Sequence, residues 1–213
     1  EIYTLSLHDA LPISTSGHSW GGYSACSVLT YHPEVKAVIE CCGCNRPTDL
    51  FESGGKAMAG DVIYAMMPFA KIHEWAKYGK YATNTAMDGF EASEAAVMVA
   101  HSEDDDVVPI QYGYNLYYEK YRDNTRFTFL HFKDKGHNDF FFDSNDSYKN
   151  EFNAECDKWA ETLGYDRKAE ENKERFAADK AEYINAHLDR ARWSNRLDED
   201  LLEQFVIFYD RNM

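Results

Sequence analysis

The sequence predicts an α/β fold: a parallel sheet with crossover helices, interrupted by a helical cap insertion and closed by a helical C-terminal region. Three observations predict it. Short β-rich runs recur along the chain at AVIECC (37–42), AAVMVAHS (95–102) and RFTFLHF (126–132), and the first two are nearly continuous in apolar residues, as strands buried on both faces are. Helical stretches separate the runs, notably Tyr23 to Tyr31 and Gln111 to Tyr121, in the alternation that right-handed crossovers produce. A sharp turn, TSGHSWGG, joins a strand-like approach at Thr15 and Ser16 to the first of those helices.

Composition narrows the function. A chain of 213 residues is within the range of one domain, and 44% hydrophobic with 15% aromatic residues supplies a sizeable core. The formal charge of -15 argues against nucleic acid as a partner, since such binders concentrate Lys and Arg on one face. No apolar run reaches the roughly 18 residues that span a bilayer, and the start lacks the basic and apolar regions of a signal peptide, so the expected location is the cytoplasm. Five cysteines (Cys26, Cys41, Cys42, Cys44, Cys156) are an odd number, three of them crowded into CCGC, and read as reduced, buried thiols. A zinc site would want a second Cys or His pair at ligand spacing, and Cys156 stands alone in a helical stretch. Neither a metal nor an organic cofactor is expected.

The elements follow in order. The opening EIYTLSLHDALPI back-translates in frame into a widely used sequencing adapter, so residues 1–14 are expected to be a non-native scar joined to the interior of a gene. Glu1, His8 and Asp9 then carry no functional meaning. Residues 15–213 form a partial domain. Within it, residues 45–93 are too long for a simple connection and rich in Met, Trp, Tyr and Phe, which predicts a cap-like helical excursion over one end of the sheet. Its aromatic stripe serves packing and can also wall a substrate site. Residues 144–213 read as helical, with Gly164 as a stop and Phe176, Ile184, Leu188, Leu201, Leu202, Phe205 and Phe208 at helical spacing amid solvated charge.

Three elements carry chemistry. Gly17-His18-Ser19-Trp20-Gly21 matches G-x-S-x-G, a strand-to-helix turn that holds a nucleophile at strained backbone angles, with glycine two residues either side relieving the collision of strand and helix. The turn lifts the Ser19 hydroxyl above the sheet and places the Trp20 N–H, at a helix N-terminus, where an oxyanion would develop. HSEDDDVVP (101–109) follows a later strand and offers Asp104, Asp105 and Asp106 as the carboxylate a catalytic histidine needs; the same run also fits a solvated acidic loop. DKGHNDFF (134–141) follows the next strand and presents His137 in a polar loop, whereas His131 lies in a strand, His73 in the cap, His187 in the charged tail and His32 at a helix end. Ser, then Asp, then His after successive strands is the order in which an α/β sheet delivers a triad.

With GHSWGG, HSEDDDVVP and KGHNDFF in place, the chain resembles the α/β-hydrolase superfamily, in its bacterial esterase and prolyl-oligopeptidase-like branch, over roughly Thr15 to Asp143. The resemblance implies Ser19 as nucleophile, Asp105, four residues before Pro109, as acid, and His137 as base. Asp104 and Glu40, the latter at the end of AVIE where some relatives carry their acid, are the alternatives for that role. Ser102 departs from the family, which usually has glycine there. The resemblance further implies several strands upstream of Ser19 and a second oxyanion donor from one of their loops, so the chain expressed alone is expected to be poorly soluble and almost inactive. The function implied is a serine hydrolase cleaving a carboxylic ester or related acyl bond of a small molecule, with a prolyl-oligopeptidase-like peptidase and a non-catalytic binding protein of the same fold as rivals.

Overall fold

The computed structural model describes residues 12–213, so most of the expected scar lies outside the described residues. Its end does not. Strand β1 (Ser14–His18) takes Ser14 into the sheet opposite Ala37, and the Lys36 N–H donates to the Ile13 carbonyl at 2.9 Å.

β1, β2 (Ala37–Cys41), β3 (Ala96–Ser102) and β4 (Phe127–Phe132) form one parallel sheet in the order β1-β2-β3-β4. β2 is buried along its whole length and β3 nearly so, which is why their sequences are apolar without alternation. β4 is only partly covered and interleaves Thr128 and His131 with its aromatic residues.

Helix α1 (Trp20–Ser27) connects β1 to β2. Between β2 and β3 run α2 (Pro47–Ala59), α3 (Val62–Tyr78) and α4 (Ala86–Ala92), and α5 (Tyr114–Tyr121) leads from β3 to β4. α1, α4 and α5 share a core with Val38, Val97 and Val99 on one face of the sheet. At its centre Phe90 sets its ring edge-on to Tyr117, Tyr121 and Phe127, with centroids 5.2, 5.8 and 5.3 Å away. Such aromatic pairs contribute roughly 0.5–1.5 kcal/mol each beyond the area they bury.

The stretch 45–93 is therefore two things. α2 and α3 make the excursion, with Met58, Phe69, Ile72 and Trp75 exposed. α4 instead belongs to the helical layer of the sheet. It starts at a capping box in which Thr85 Oγ1 accepts the Asp88 N–H at 3.0 Å and Asp88 Oδ2 accepts the Thr85 N–H at 2.8 Å, and it buries Ala86 and Phe90. Composition does not separate the two, because apolar residues at helical spacing read alike whether a sheet covers them or not.

The chain divides into two compact units, one up to Phe140 together with Glu203–Met213, the other Phe141–Leu202. The second unit holds α6 (Tyr148–Glu161), α7 (Lys173–His187) and α8 (Arg190–Ser194), and α9 (Glu199–Asn212) begins in it. Trp159 of α6 stacks on Tyr183 of α7 at 4.5 Å, and the buried Arg196 lies over the rings of Phe142 and Trp193 at 4.1 and 4.3 Å. Within the first unit, the Tyr209 hydroxyl of α9 donates to the Thr15 carbonyl of β1 at 2.8 Å. No helix of the described residues is long and apolar enough to cross a membrane.

Candidate active site

Ser19 occupies the turn between β1 and α1 at φ 59° and ψ -123°, where among the described residues only one other non-glycine residue, Cys42, has positive φ. Such a conformation costs on the order of 1–3 kcal/mol and persists only where the surroundings over-determine it. Two contacts do so here. The Ser19 N–H donates to the Cys41 carbonyl at 2.8 Å, and the strand runs so close to the returning helix that a Cβ on Gly17 would lie 2.1 Å from the Gly21 carbonyl oxygen. A Cβ on Gly21 would meet nothing, so the expected need for glycine on both sides of the serine holds for Gly17 alone. Ser19 is half-buried, and Trp20 opens α1 with its ring against Phe51 at 5.7 Å.

Asp105 and His137, the expected acid and base, lie in the loops beyond β3 and β4. His137 Nδ1 donates to Asp105 Oδ2 at 2.7 Å, and both side chains are buried. Asp105 Oδ1 accepts the N–H groups of Val107 and Val108 at 3.0 and 2.7 Å, which fixes the carboxylate from the other side. Burial alone would raise the Asp105 pKa, but hydrogen bonds from His101, His137 and Val108 outweigh it and hold the carboxyl well below its usual range.

Asp104 is exposed and ties the loops together instead. Its Oδ1 accepts the Ser102 hydroxyl at 2.6 Å and the Gly136 N–H at 2.9 Å, while Ser102 Oγ accepts the Lys135 N–H at 2.9 Å. The serine that departs from the family pattern thus braces the histidine loop against the acid loop. Asp106 is exposed.

His18 packs against the pair. Its Nε2 donates to the His137 carbonyl at 3.0 Å and its ring centroid is 4.6 Å from that of His137, so the residue next to Ser19 in sequence packs directly on the imidazole. Burial, then the neighbouring His137, lower the His18 pKa and favour the neutral ring.

Sequence reasoning passed over His18 and His101. His101 Nε2 donates to the Val108 carbonyl at 2.9 Å and lies 3.3 Å from Asp105 Oδ2, making it a second imidazole on the same carboxylate. Its place four residues before Asp105, at the end of β3, was the available signal. Glu40 is fully buried at the end of β2 and makes no hydrogen bond with His137.

All five cysteines are free and buried. Cys42 Sγ lies within 4.8 Å of a ring nitrogen of His18 and one of His137, and equally of a ring nitrogen of His101 and a carboxylate oxygen of Asp105, so these residues could surround a metal ion. His137 Nδ1, His18 Nε2 and His101 Nε2 are engaged in the hydrogen bonds above, and burial pushes the Cys42 thiol far up, away from the thiolate a metal takes.

Residues 4–165 match the prolyl oligopeptidase family. The chain belongs to that family. Membership of the prolyl oligopeptidase family agrees with the α/β-hydrolase fold that the parallel sheet and the serine turn show. No curated protein matches it. Solved structures similar to it include a Pyrococcus horikoshii acylaminoacyl peptidase (20% identity, TM-score 0.42, 60% of this chain and 20% of that one). A Pyrococcus furiosus esterase aligns at 14% identity and TM-score 0.43 over 70% of this chain and 53% of its own. Porphyromonas gingivalis dipeptidyl peptidase 4 aligns at 20% identity and TM-score 0.43 over 67% of this chain and 18% of its own. The chain thus spans about a fifth of the two peptidases and about half of the esterase.

Proposed function

We propose that the intact protein hydrolyses a carboxylic ester or related acyl bond by way of an acyl-enzyme, with Ser19 as nucleophile, His137 as general base and acid, and Asp105 as the carboxylate that orients the imidazole. Ser19 Oγ attacks the carbonyl carbon as its proton passes to His137 Nε2; the Asp105 bond to Nδ1 leaves that nitrogen as the acceptor and stabilises the imidazolium. The carbonyl oxygen gains negative charge, which the Trp20 N–H at the start of α1 supports. Collapse returns the proton from His137 to the leaving alcohol, and water then repeats the sequence to release the acid.

The observation that carries this reading is the 2.7 Å His137–Asp105 bond, packed against His18, the residue before a serine held at φ 59°. An active-site-directed fluorophosphonate should label the protein, and Ser19→Ala should abolish the label and lower turnover by roughly 10⁶-fold. Labelling that persists in Ser19→Ala removes the assignment.

The family match supports a second reading, cleavage of a peptide bond by the same residues. Comparison of kcat/KM for peptide anilides and for activated esters of the same acyl group separates the two, because the leaving amine, unlike an activated phenol, requires the proton that His137 supplies.

A further inference from the structure

The sheet order sets a distance problem for the site. Ser19 follows β1 and His137 follows β4, the two ends of the order β1-β2-β3-β4. In the register, His18 pairs with Cys41, Cys41 with Ala100 and Ala100 with Leu130, so three strand spacings, about 14 Å, separate the residue before the serine from its counterpart on β4. A serine and its base have to come within about 3 Å. The base must therefore be carried across the sheet and held there.

The loop after β4 has the reach but not the rigidity. From Phe132 to His137 a fully extended chain spans at most about 18 Å, so the crossing can be made in many conformations. Three contacts narrow them on the side of β3: the Lys135 N–H donates to Ser102 Oγ at 2.9 Å, the Gly136 N–H to Asp104 Oδ1 at 2.9 Å, and His137 Nδ1 to Asp105 Oδ2 at 2.7 Å. All three end on β3 or the loop beyond it, two strand spacings, about 10 Å, short of β1. They fix which carboxylate the imidazole meets, and leave open how far the loop leans toward Ser19.

His18 makes the remaining connection. Its Nε2 lies 3.0 Å from the His137 carbonyl oxygen, and because a carbonyl only accepts, Nε2 carries the proton. The bond grips the main chain, so it does not compete with Asp105 for the His137 ring. The His18 ring also lies 4.6 Å from that of His137 and 6.4 Å from that of Phe140, which is fully buried and set edge-on to Phe132 of β4 at 5.5 Å. The loop is thus seated on its own strand at Phe140 and on the end of β1 at His137. We propose that His18 is the positioning residue that carries the base across the sheet: its Nε2–H holds the His137 main chain against the nucleophile turn while Asp105 sets the ring. This role rests on the triad proposed above; the contact does not.

A neutral donor suits the place. A lysine or arginine could also hold a carbonyl, but its fixed charge would oppose the imidazolium that forms on His137 during turnover. Burial, then the neighbouring His137, lower the His18 pKa and outweigh the His137 carbonyl and Asp105, which raise it. Glutamine meets the same description, because its amide nitrogen can reach the place of Nε2. The asparagine amide is one methylene too short, and phenylalanine keeps the ring without the donor.

Three variants of the protein test the role. His18→Phe should lower kcat about 10²-fold with KM held within about twofold, the effect of misplacing a catalytic group by about 1 Å, and should slow fluorophosphonate labelling by a similar factor. His18→Asn should match it, and His18→Gln should recover to within about threefold of the parent. Parent-like kcat in His18→Phe, or equal losses in His18→Gln and His18→Asn, would mean that the ring only packs and would overturn the role. Should His18→Phe not fold, the glutamine and asparagine variants decide alone. The contact is read without substrate in ¹⁵N-histidine spectra of Ser19→Ala, where His18 Nε2 should bear the proton at neutral pH; a proton on Nδ1 instead overturns the proposal. Labelling that persists in Ser19→Ala removes the triad and the positioning role with it, and that spectrum then reads the contact by itself.

Discussion

The rim of the sheet and the α2–α3 excursion place their side chains in opposite ways. At the rim Glu40, His101, Ser102, Asp105 and His137 are all buried, while in the excursion Met58 is 91% and Phe69 74% exposed. Burying ionisable groups is unfavourable unless each finds partners, and at the rim Asp105 alone engages His137, His101 and two backbone N–H groups. The excursion makes no such demand on its sequence and gains little from its apolar residues within the described chain. The difference teaches where stability has been exchanged for chemistry: the polar groups that destabilise a core are held where a reaction can use them, and the apolar ones that would stabilise a core are left outside.

The sharpest test of that contrast is at Asp105. Asp105→Asn keeps the shape of the acid but not its charge, and kcat should drop about 10⁴-fold with the fold intact, as read by circular dichroism and turnover. A loss comparable to that of a surface substitution would mean that the buried carboxylate is structural.

Glu40 provides the next largest effect, through pH. A carboxyl whose folded-state pKa is about 7 against an ordinary 4.5 binds more protons folded than unfolded in between, so stability falls as pH rises through that window. The expected loss is about 3 kcal/mol between pH 4.5 and 7, and Glu40→Gln should flatten it in urea titrations at the two pH values. Asp105 acts in the opposite sense and elsewhere: its lowered pKa stabilises the fold above the ordinary carboxylate range, and that contribution is lost as pH falls below about 4.

At the exposed edge of the rim the effects shrink. Asp104→Ala removes the acceptor shared by the Ser102 hydroxyl and the Gly136 N–H, and should cost about 1 kcal/mol of stability and a few-fold in kcat by loosening the histidine loop. Smallest of all, Phe69→Ser or Trp75→Ser in the excursion should alter unfolding free energy by no more than about 0.5 kcal/mol. A loss of several kcal/mol there would show that these rings are packed, and would erase the contrast.

The sequence by itself determined the strands and the loops that carry Ser19, Asp105 and His137. AVIECC, AAVMVAHS and RFTFLHF are β2, β3 and β4 nearly to the residue, the first two because strands buried in a parallel sheet must be apolar on both faces and only short runs satisfy that. The places of Ser19, Asp105 and His137 were legible because each follows a strand end, where the loops of a parallel sheet gather. Only the tertiary structure showed which of the three neighbouring aspartates bonds to His137, separated α4 from the excursion, and brought His18 and His101 to that pair. The physical reason is that periodicity records which way a side chain faces, whereas a hydrogen-bond partner is fixed by three coordinates, and residues such as His18 and His137, 119 positions apart, share those only once the sheet has aligned their strands.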